Sequence, residues 1–323
     1  MQIRPYNPGD EEAILALDAR VLPSVWNRRT MDNWHWKFTE KNPSGHSIIW
    51  IAEFESRIIA HFAAVPYRLK IFDEEVEASH SIGALVDEEY QNRGLLKLLG
   101  DKIWKGLAER GIFFTWGFPN ERASRFHKAI LGYEDLINFD VWKIEKSDIG
   151  TAKSNPAWRA IDVFDADFDR LWEECSGDYD IAVVRNRTYL NWRYLQRPDW
   201  QYFPFGLYEK KALKGYVVLK IYRQDRIKRG HIVDIFSHRE DRDSLNLLVA
   251  GSLDFFSEQD VDEATVWIWG NSLIENLLAE KAFVKIPADI PLLLRINGKH
   301  PCQDQIRDNS HWYFTMGDST EIF

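Results

Sequence analysis

The chain has 323 residues, of which 45% are hydrophobic, and it carries a formal net charge of −9 at pH 7. This length exceeds one ordinary domain, so we expect two domains, each with a core of its own. The negative charge argues against a nucleic-acid partner, because affinity for nucleic acids comes from clustered Lys and Arg side chains. It mildly favours a cationic substrate such as an amine.

No apolar run approaches the roughly 18 residues that a membrane-spanning helix needs, so we expect no membrane partner. Met1 is followed directly by a strand-like segment, so we expect no signal peptide. The two cysteines, Cys175 and Cys302, lack the spacing of metal ligands. We therefore expect a cytoplasmic protein without a metal or structural disulfides, and the sequence leaves its oligomeric state open.

The first half of the chain predicts an α/β domain. Asp10 is placed to cap a helix over Glu11–Arg20, and Pro23 ends that pattern. A second helix begins at Arg29 and stops before the Asn42-Pro43-Ser44-Gly45 turn. The predicted strands are Gln2–Tyr6, Ser47–Glu53, Arg57–Val65, Leu69–Phe72 and Val76–Ser81.

The next stretch predicts a strand, a turn and a helix whose start is suited to an anion. Ile82–Val86 is an apolar run of strand length, and the acidic turn Asp87-Glu88-Glu89 follows it. Leucines then recur at helical spacing from Leu95 onward. At Gly94, where the turn becomes helix, a side chain would block access to the first helical N–H groups, which have no partner within the helix. Such a helix start is a natural site for a phosphate.

The pattern Gln91-x-x-Gly94-x-Leu96 resembles the acetyl-CoA signature of the GNAT N-acetyltransferases. The family pattern is Arg or Gln, two residues, Gly, one residue, then Gly or Ala, so Leu96 departs from it. The resemblance implies that the backbone of this turn holds the pyrophosphate of acetyl-CoA, the cosubstrate. It also implies that N–H groups near Leu85 and Val86 hold the acetyl carbonyl. The implied cofactor-binding residues of the turn are Gln91, Asn92, Arg93, Gly94, Leu95 and Leu96.

A second motif follows in the right order. Gly111–Phe118 predicts a buried strand, and Glu121–Leu131 predicts a helix that ends at Gly132. The sequence from Asn120 to Tyr133 resembles the second GNAT motif, in which an Asn opens the helix, a Tyr lies two turns in and Gly-Phe closes it. In this chain His127 stands at the Tyr position and Tyr133 replaces the Phe.

This second resemblance supplies candidate catalytic and binding residues. His127 is the candidate acid for the leaving thiolate, with a helix-surface histidine as the alternative. Tyr133 is another candidate donor, although packing behind Gly132 also accounts for it. Asn120 either contacts the pantetheine arm of the cofactor or only caps its helix.

A general base is harder to assign. Strand alternation places His80 on the face opposite Ser79 and Ser81, where it could take a proton from the amine, although a structural role is the simpler interpretation. The acidic turn at 87–89 is expected to be solvated. Lesser candidates are Glu53, His61 and the terminal carboxylate of Phe323.

The second half of the chain repeats the first. Arg187, Thr188, Asn191 and Trp192 repeat Arg29, Thr30, Asn33 and Trp34 at an offset of 158 residues. The repeat predicts two copies of one domain, 1–150 and 151–323, with the boundary between Lys146 and Pro156. The recurring tryptophans are expected to pack each helix on its sheet. Predicted strands of the second copy are 160–163, 205–208, 215–222, 231–236, 265–269, 292–295 and 311–315, and its helices are 168–174, 187–194, 244–257 and 271–281.

The two copies differ where the phosphate is expected to bind. Ser237–Asp243 of the second copy has no glycine at the turn. We therefore expect cofactor binding in the first copy alone, and a degenerate second copy that completes the substrate cleft. The fold class is α/β with a mixed sheet, in two tandem GNAT-like acyl-CoA N-acyltransferase domains.

The resemblance implies an N-acetyltransferase that moves acetyl directly from acetyl-CoA, and we expect the acceptor to be a primary amine of a small molecule, such as an amino sugar. Neither cysteine lies in the predicted first domain, which disfavours a cysteine-linked intermediate. One alternative is an aminoacyl transferase of the FemABX type, which also has paired GNAT-like domains. Another is a non-catalytic CoA-binding module, which the departure at Leu96 allows.

Overall fold

The computed structural model describes residues 1–22, 30–39, 41–150 and 157–319. Pro23, the predicted helix start at Arg29, the boundary residues 151–156 and the carboxylate of Phe323 lie outside the described residues. The chain forms two compact units. Unit 1 comprises Met1–Leu69, Val76–Ile137 and Pro291–Arg307, and unit 2 comprises Lys70–Glu75, Asn138–Ile290 and Asp308–Phe323.

The helices and strands of unit 1 follow one another in the predicted order, and its strands form a mixed sheet. Strands β1 to β3 pair antiparallel in sequence order, and β4 pairs with β5 in parallel. The predicted strands 69–72 and 76–86 are extensions of β3 and β4. The elements are β1 (Gln2–Pro5), α1 (Glu11–Val21), α2 (Met31–Phe38), β2 (Ile48–Phe54), β3 (Arg57–Ile71), β4 (Glu74–Val86), α3 (Leu95–Glu109), β5 (Phe114–Gly117) and α4 (Glu121–Leu131), followed by β6 (Glu134–Glu145).

The helix ends of unit 1 follow the local sequence with one exception. Thr30 caps α2 by accepting a hydrogen bond from the Asn33 N–H, and Gly132 ends α4 in the left-handed conformation. Asp10 precedes α1, but its carboxylate makes no capping bond. It pairs instead with Arg4, so the predicted cap is wrong because a stronger charged partner lies nearby.

Unit 2 repeats this order of elements. Three antiparallel strands are followed by a helix and by a strand, β12, that pairs in parallel with β11, as β5 pairs with β4. Its elements are β7 (Trp158–Ala160), α5 (Ala166–Cys175), β8 (Ile181–Val183), α6 (Arg187–Leu190), β9 (Tyr202–Glu209), β10 (Ala212–Gln224), β11 (Ile227–Ser237), α7 (Arg242–Glu258), β12 (Glu263–Val266), β13 (Ile268–Trp269), α8 (Ser272–Glu280), the first part of β14 (Val284–Ile296) and β15 (Trp312–Thr315). The end of β14 and helix α9 (Gln303–Arg307) belong to unit 1.

The residues that recur in both halves of the chain do not have identical structural roles in the two units. Thr30 is the N-cap of α2, whereas Thr188 lies inside α6, which Asn186 caps. A turn of π-helix, Asn191–Leu195, continues α6. Trp34 and Trp192 are both fully buried, in agreement with the predicted packing role.

The units are not divided at the predicted boundary of residue 150. Strand β6 belongs to unit 2 from Asn138 onward, because its residues 142–145 pair with β12. Residues 293–296 of β14 instead pair antiparallel with β5 and belong to unit 1. Cys302 therefore lies in unit 1, although it is outside the predicted first domain, residues 1–150.

Candidate active site

The turn between β4 and α3 is held at its base by Asp87. This carboxylate is buried and forms ion pairs with Arg57 and, at 3.1 Å, with Arg20. Burial alone would raise the pKa of Asp87, but the hydrogen bonds from Arg57 and the Glu89 N–H lower it below its usual value. Glu88 and Glu89 are exposed. The predicted solvated turn is thus wrong for Asp87, which anchors β4 to β3 and α1.

The turn then exposes the first N–H groups of α3. Asn92 and Gly94 both have left-handed backbones, with φ of 60° and 72°. Gly94 occupies the N-cap position and brings no capping side chain. Within the described part of the chain, nothing lies within 4 Å of the place that its Cβ would occupy. Leu95 is buried in the core beneath α3, so the helix start is firmly placed while its N–H groups stay open.

The corresponding helix of unit 2 begins differently. Asp241 caps α7, accepting hydrogen bonds from the Ser244 N–H at 3.0 Å and the Ser244 hydroxyl at 2.7 Å. A carboxylate of the chain itself therefore takes the position that an anion would need. The start of α7 thus differs from the start of α3, which has no capping side chain.

Basic and polar side chains surround the open turn of unit 1. The Gln91 amide donates to the Val86 carbonyl at 3.5 Å and accepts from Arg122 of α4 at 3.4 Å. Arg93 lies over the Tyr90 ring and donates to the Glu89 carbonyl. Sequence reasoning missed Arg122, whose only signal was a positive charge at the start of the second motif. The hydrogen bond from Arg122 to Gln91 links the first turn of α4 to the turn before α3.

Strands β4 and β5 pair over a short length, and β4 then continues without β5, alongside β3. Their partners are Ser79 with Thr115 and His80 with Trp116, whereas β4 runs on to Val86. Gly83 has a left-handed backbone, with φ of 66°, which kinks β4 beyond the last pair. Leu85 and Val86, the predicted carbonyl-binding residues, lie on this outer part of β4.

His127 lies on the inner face of α4, near Phe62 and Tyr133. Its Nδ1 is 2.6 Å from the Ala123 carbonyl oxygen, which only accepts, so Nδ1 carries the proton. Burial lowers the pKa of His127 below its usual value, although the bond to Ala123 opposes this. The neutral ring then offers a lone pair at Nε2, which disfavours the predicted role as an acid.

Tyr133 brings a neutral hydroxyl to the place where β4 and β5 part. Burial is the main cause that raises the pKa of this phenol well above its usual value, and the nearby Ser81 side chain opposes it. The two hydroxyls do not have hydrogen-bond geometry, and among the described residues the Tyr133 oxygen has no partner. The Ser81 hydroxyl donates to the Trp116 carbonyl at 3.3 Å, at the end of the β4–β5 pairing.

A family model described as an acetyltransferase (GNAT) domain matches residues 2–131 of this chain. This part of the chain is a GNAT acetyltransferase domain. The family and the enzyme class predicted from the sequence, an N-acetyltransferase, are thereby confirmed. No curated protein matches the chain.

Solved structures share the fold over nearly the whole chain, which supports two tandem GNAT-like units. A probable N-acyltransferase from Enterococcus faecalis is 14% identical with a TM-score of 0.69, covering 91% of this chain and 72% of that one. A GCN5-related N-acetyltransferase from Anabaena variabilis is 16% identical with a TM-score of 0.67, covering 92% and 73%. The N-myristoyltransferase of Saccharomyces cerevisiae, solved with bound myristoyl-CoA, is 10% identical with a TM-score of 0.65, covering 93% and 83%.

In the GNAT domain His80 lies on the face of the sheet opposite the serines. Its ring stacks on Trp116 with centroids 5.6 Å apart and planes 5° apart, and Tyr67 and Phe118 contact its edges. This aromatic surrounding buries His80 almost completely. The predicted face is therefore confirmed, and the packing accounts for a structural role without testing a catalytic one.

The lesser base candidates are engaged elsewhere in the GNAT domain. Glu53 forms an ion pair with Arg4 at 2.8 Å. The His61 ring packs against Trp34 and Phe38, with Nδ1 2.9 Å from the Gly83 carbonyl.

Asn120, the predicted contact of the pantetheine arm, uses its side-chain oxygen to cap α4, accepting from the Ala123 N–H at 2.9 Å. Only its amide group is left to contact a ligand.

Proposed function

We propose that this protein is an acetyl-CoA-dependent N-acetyltransferase that transfers acetyl directly to a primary amine of a small molecule, such as an amino sugar. The observation that carries the proposal is the uncapped start of α3 at Gly94, in a turn whose Gln91 contacts Arg122. Capping of the corresponding helix by Asp241 supports a single cofactor site, in unit 1. Unit 2 is then the degenerate copy, without a cofactor site of its own.

Acetyl-CoA fits the residues around this turn. The open N–H groups at residues 92–96 would hold its pyrophosphate, with Gln91 and Arg122 beside them, because a helix start favours an anion. Asn120 would offer its amide to the pantetheine arm. When bound, acetyl-CoA supplies an acetyl group activated as a thioester. The open space around the missing Cβ of Gly94, within the described part of the chain, is the feature that supports this fit.

Residues beyond the last β4–β5 pair would position the reacting groups. Backbone N–H groups near Leu85 and Val86 would polarise the acetyl carbonyl. Tyr133, protonated and without a hydrogen-bond partner among the described residues, is the better candidate to donate a proton to the leaving sulfur. Neutral His127 would then serve as an acceptor at Nε2, and His80 remains the candidate base for the amine.

Direct transfer is supported by the position of the one cysteine in unit 1. Cys302 precedes α9 and its N–H donates to His300, whose ring stacks on Phe113. Phe113 lies before the start of β5, whereas the β4–β5 pairing ends at Trp116, toward the other end of that strand. A cysteine-linked acetyl group would therefore form away from the proposed site.

Two measurements test the proposal. Calorimetric titration of the full chain with acetyl-CoA should show one binding event, and release of free thiol should accelerate with at least one member of a panel of amino sugars, amino acids, polyamines and peptides. Binding without thiol release would indicate a non-catalytic CoA-binding module. Absence of binding would overturn the cofactor site and would favour an aminoacyl donor of the FemABX type.

A further inference from the structure

Lys220 is buried in unit 2 beside an aromatic ring. It lies in the middle of β10, opposite Tyr202 of β9 and His231 of β11, and only 8% of its surface is exposed. Its Nζ atom is 3.0 Å from the centre of the Trp200 ring. Within the described ranges it donates no hydrogen bond and forms no ion pair. Buried lysines are usually paired with a carboxylate, so this arrangement calls for an explanation.

The neighbours of Lys220 add positive charge. The Cζ atom of Arg197 is 3.7 Å from the centre of the same Trp200 ring. Two cations this close to one ring centre would collide on a single face, so they lie on opposite faces of Trp200. Arg193 and Arg197 also donate to the Tyr202 hydroxyl, at 2.8 and 3.3 Å. We call this group the Lys220 cluster: Arg193, Arg197, Trp200, Tyr202, Lys220 and His231.

The charges that act on Lys220 in this cluster are positive. Burial, followed by Arg197 and Arg193, lowers the pKa of Lys220 to about 6. Burial, followed by Lys220 and Arg229, lowers the pKa of His231 to about 3. Asp199, which directly precedes Trp200, is exposed and is not among the groups that shift the pKa of Lys220. The groups that face Lys220 are Arg193 and Arg197 from the helical turn, Trp200 from the following loop, Tyr202 from β9, Tyr222 from β10 and His231 from β11.

We infer that the Lys220 cluster binds a small oxyanion, a carboxylate or a group of the phosphate type, that pairs with the Lys220 ammonium. A single negative charge there would supply the partner that a protonated Lys220 lacks among the described residues. Trp200, whose ring faces the Lys220 amine, is half-buried. Because the amine is mostly neutral at pH 7 without a ligand, binding should draw a proton from solution onto Lys220.

Calorimetric titration of the full chain with sodium acetate and with sodium sulfate tests this inference. The two probes represent the carboxylate and phosphate classes, and neither changes its charge between pH 6 and pH 8. We expect a Kd on the order of 1 mM or lower for at least one probe. Comparison of buffers with different ionisation heats should show uptake of about one proton at pH 7, and affinity should fall about tenfold from pH 7 to pH 8.

Matched variants assign the binding to Lys220. Lys220→Met should abolish it, whereas Lys214→Met, on the same strand but half exposed, should leave it unchanged. Sulfate can also bind at the start of α3, so the sulfate titration is repeated in the Gly94→Glu chain, where only binding in unit 2 remains. This repeat keeps the inference independent of the proposed cofactor site.

The outcomes decide the inference in either direction. Binding of neither probe, binding without proton uptake, or binding retained in Lys220→Met overturns it. Binding of acetate alone supports a carboxylate ligand, and binding of sulfate alone supports a phosphate-type ligand. If Lys220→Met fails to fold, proton uptake by the unaltered chain decides the question.

Discussion

Asn297 donates a hydrogen bond from Nδ2 to the Thr115 hydroxyl at 2.8 Å, although the two residues are 182 positions apart in the chain. Thr115 in turn shares a 2.6 Å hydrogen bond with Ser79, its partner in the pairing of β4 and β5. Nearby, Arg295 stacks over Trp104 and donates to the Leu131 carbonyl at the end of α4. Residues 291–297 therefore support the strands and the helix that carry the candidate catalytic residues of the GNAT domain.

Asn297→Ala should lower the free energy of unfolding by about 1–2 kcal/mol, because it removes the bond to Thr115 and a partner of Arg295. Urea denaturation at pH 7 measures the change. The exposed Asn138 provides the control, for which Asn138→Ala should cost less than about 0.5 kcal/mol. Equal effects of the two substitutions would contradict the supporting role of residues 291–297.

Gly94→Glu should abolish acetyl-CoA binding while the chain stays folded, because the new side chain would lie over the open N–H groups of α3. Gly111 is a matched control, since it follows the same helix, has a left-handed backbone with φ of 76° and has no described atom within 4 Å of the position that a Cβ would take. Both substitutions carry a similar strain of roughly 1 kcal/mol. Calorimetry with acetyl-CoA should therefore separate the two variants, whereas thermal unfolding should not.

If Gly94→Glu binds acetyl-CoA with the affinity of the Gly111→Glu chain, the cofactor site has been misplaced. If both variants lose binding together with their cooperative unfolding, the comparison reports stability instead. In that case Gly94→Ala, which adds the smallest side chain, should reduce the affinity with a smaller loss of stability.

The sequence predicted the elements around the turn because local signals and the fold agree there. Asn120 and Gly132 set the bounds of α4, and both act as the sequence indicated. The pairing of β14 with β5 was not predictable, because only a long-range contact returns residues 293–296 to unit 1. Asp87 and Asp10 were misjudged for a related reason, since their arginine partners are not recognisable from local sequence.

The candidate site was predictable only in part. The turn at 91–96 is marked by its glycine, but the contact between Arg122 and Gln91 depends on the packing of α4. Likewise, the sequence pattern predicts an acid at His127, whereas the bond from its Nδ1 to the Ala123 carbonyl is visible only in the folded helix. The kink at Gly83 left no signal beyond a glycine within an apolar run.

Asp87→Asn should reduce stability at pH 7 by about 1.5–3 kcal/mol, because a buried charge-assisted pair with Arg57 is weakened. The pKa of Asp87 is lowered in the folded chain, so its contribution is complete above the unfolded pKa of about 3.9 and is lost as pH falls through the folded value. Urea denaturation should show a constant difference between the two chains from pH 8 to about 5. A difference that disappears by pH 6 would point to a histidine partner and contradict this assignment.

Tyr133→Phe separates a catalytic hydroxyl from a structural one. The Tyr133 oxygen is buried and has no partner among the described residues, so its removal should leave stability unchanged or slightly raised. If the phenol donates the proton to the leaving sulfur, kcat should fall about 10²-fold while the Kd of acetyl-CoA is unchanged. Tyr67→Phe, at a buried tyrosine beside His80 and Trp116, is the control and should retain most of the activity. Full activity of Tyr133→Phe would show that another group donates the proton. A weaker affinity for acetyl-CoA with an unchanged kcat would show that Tyr133 shapes the binding site instead.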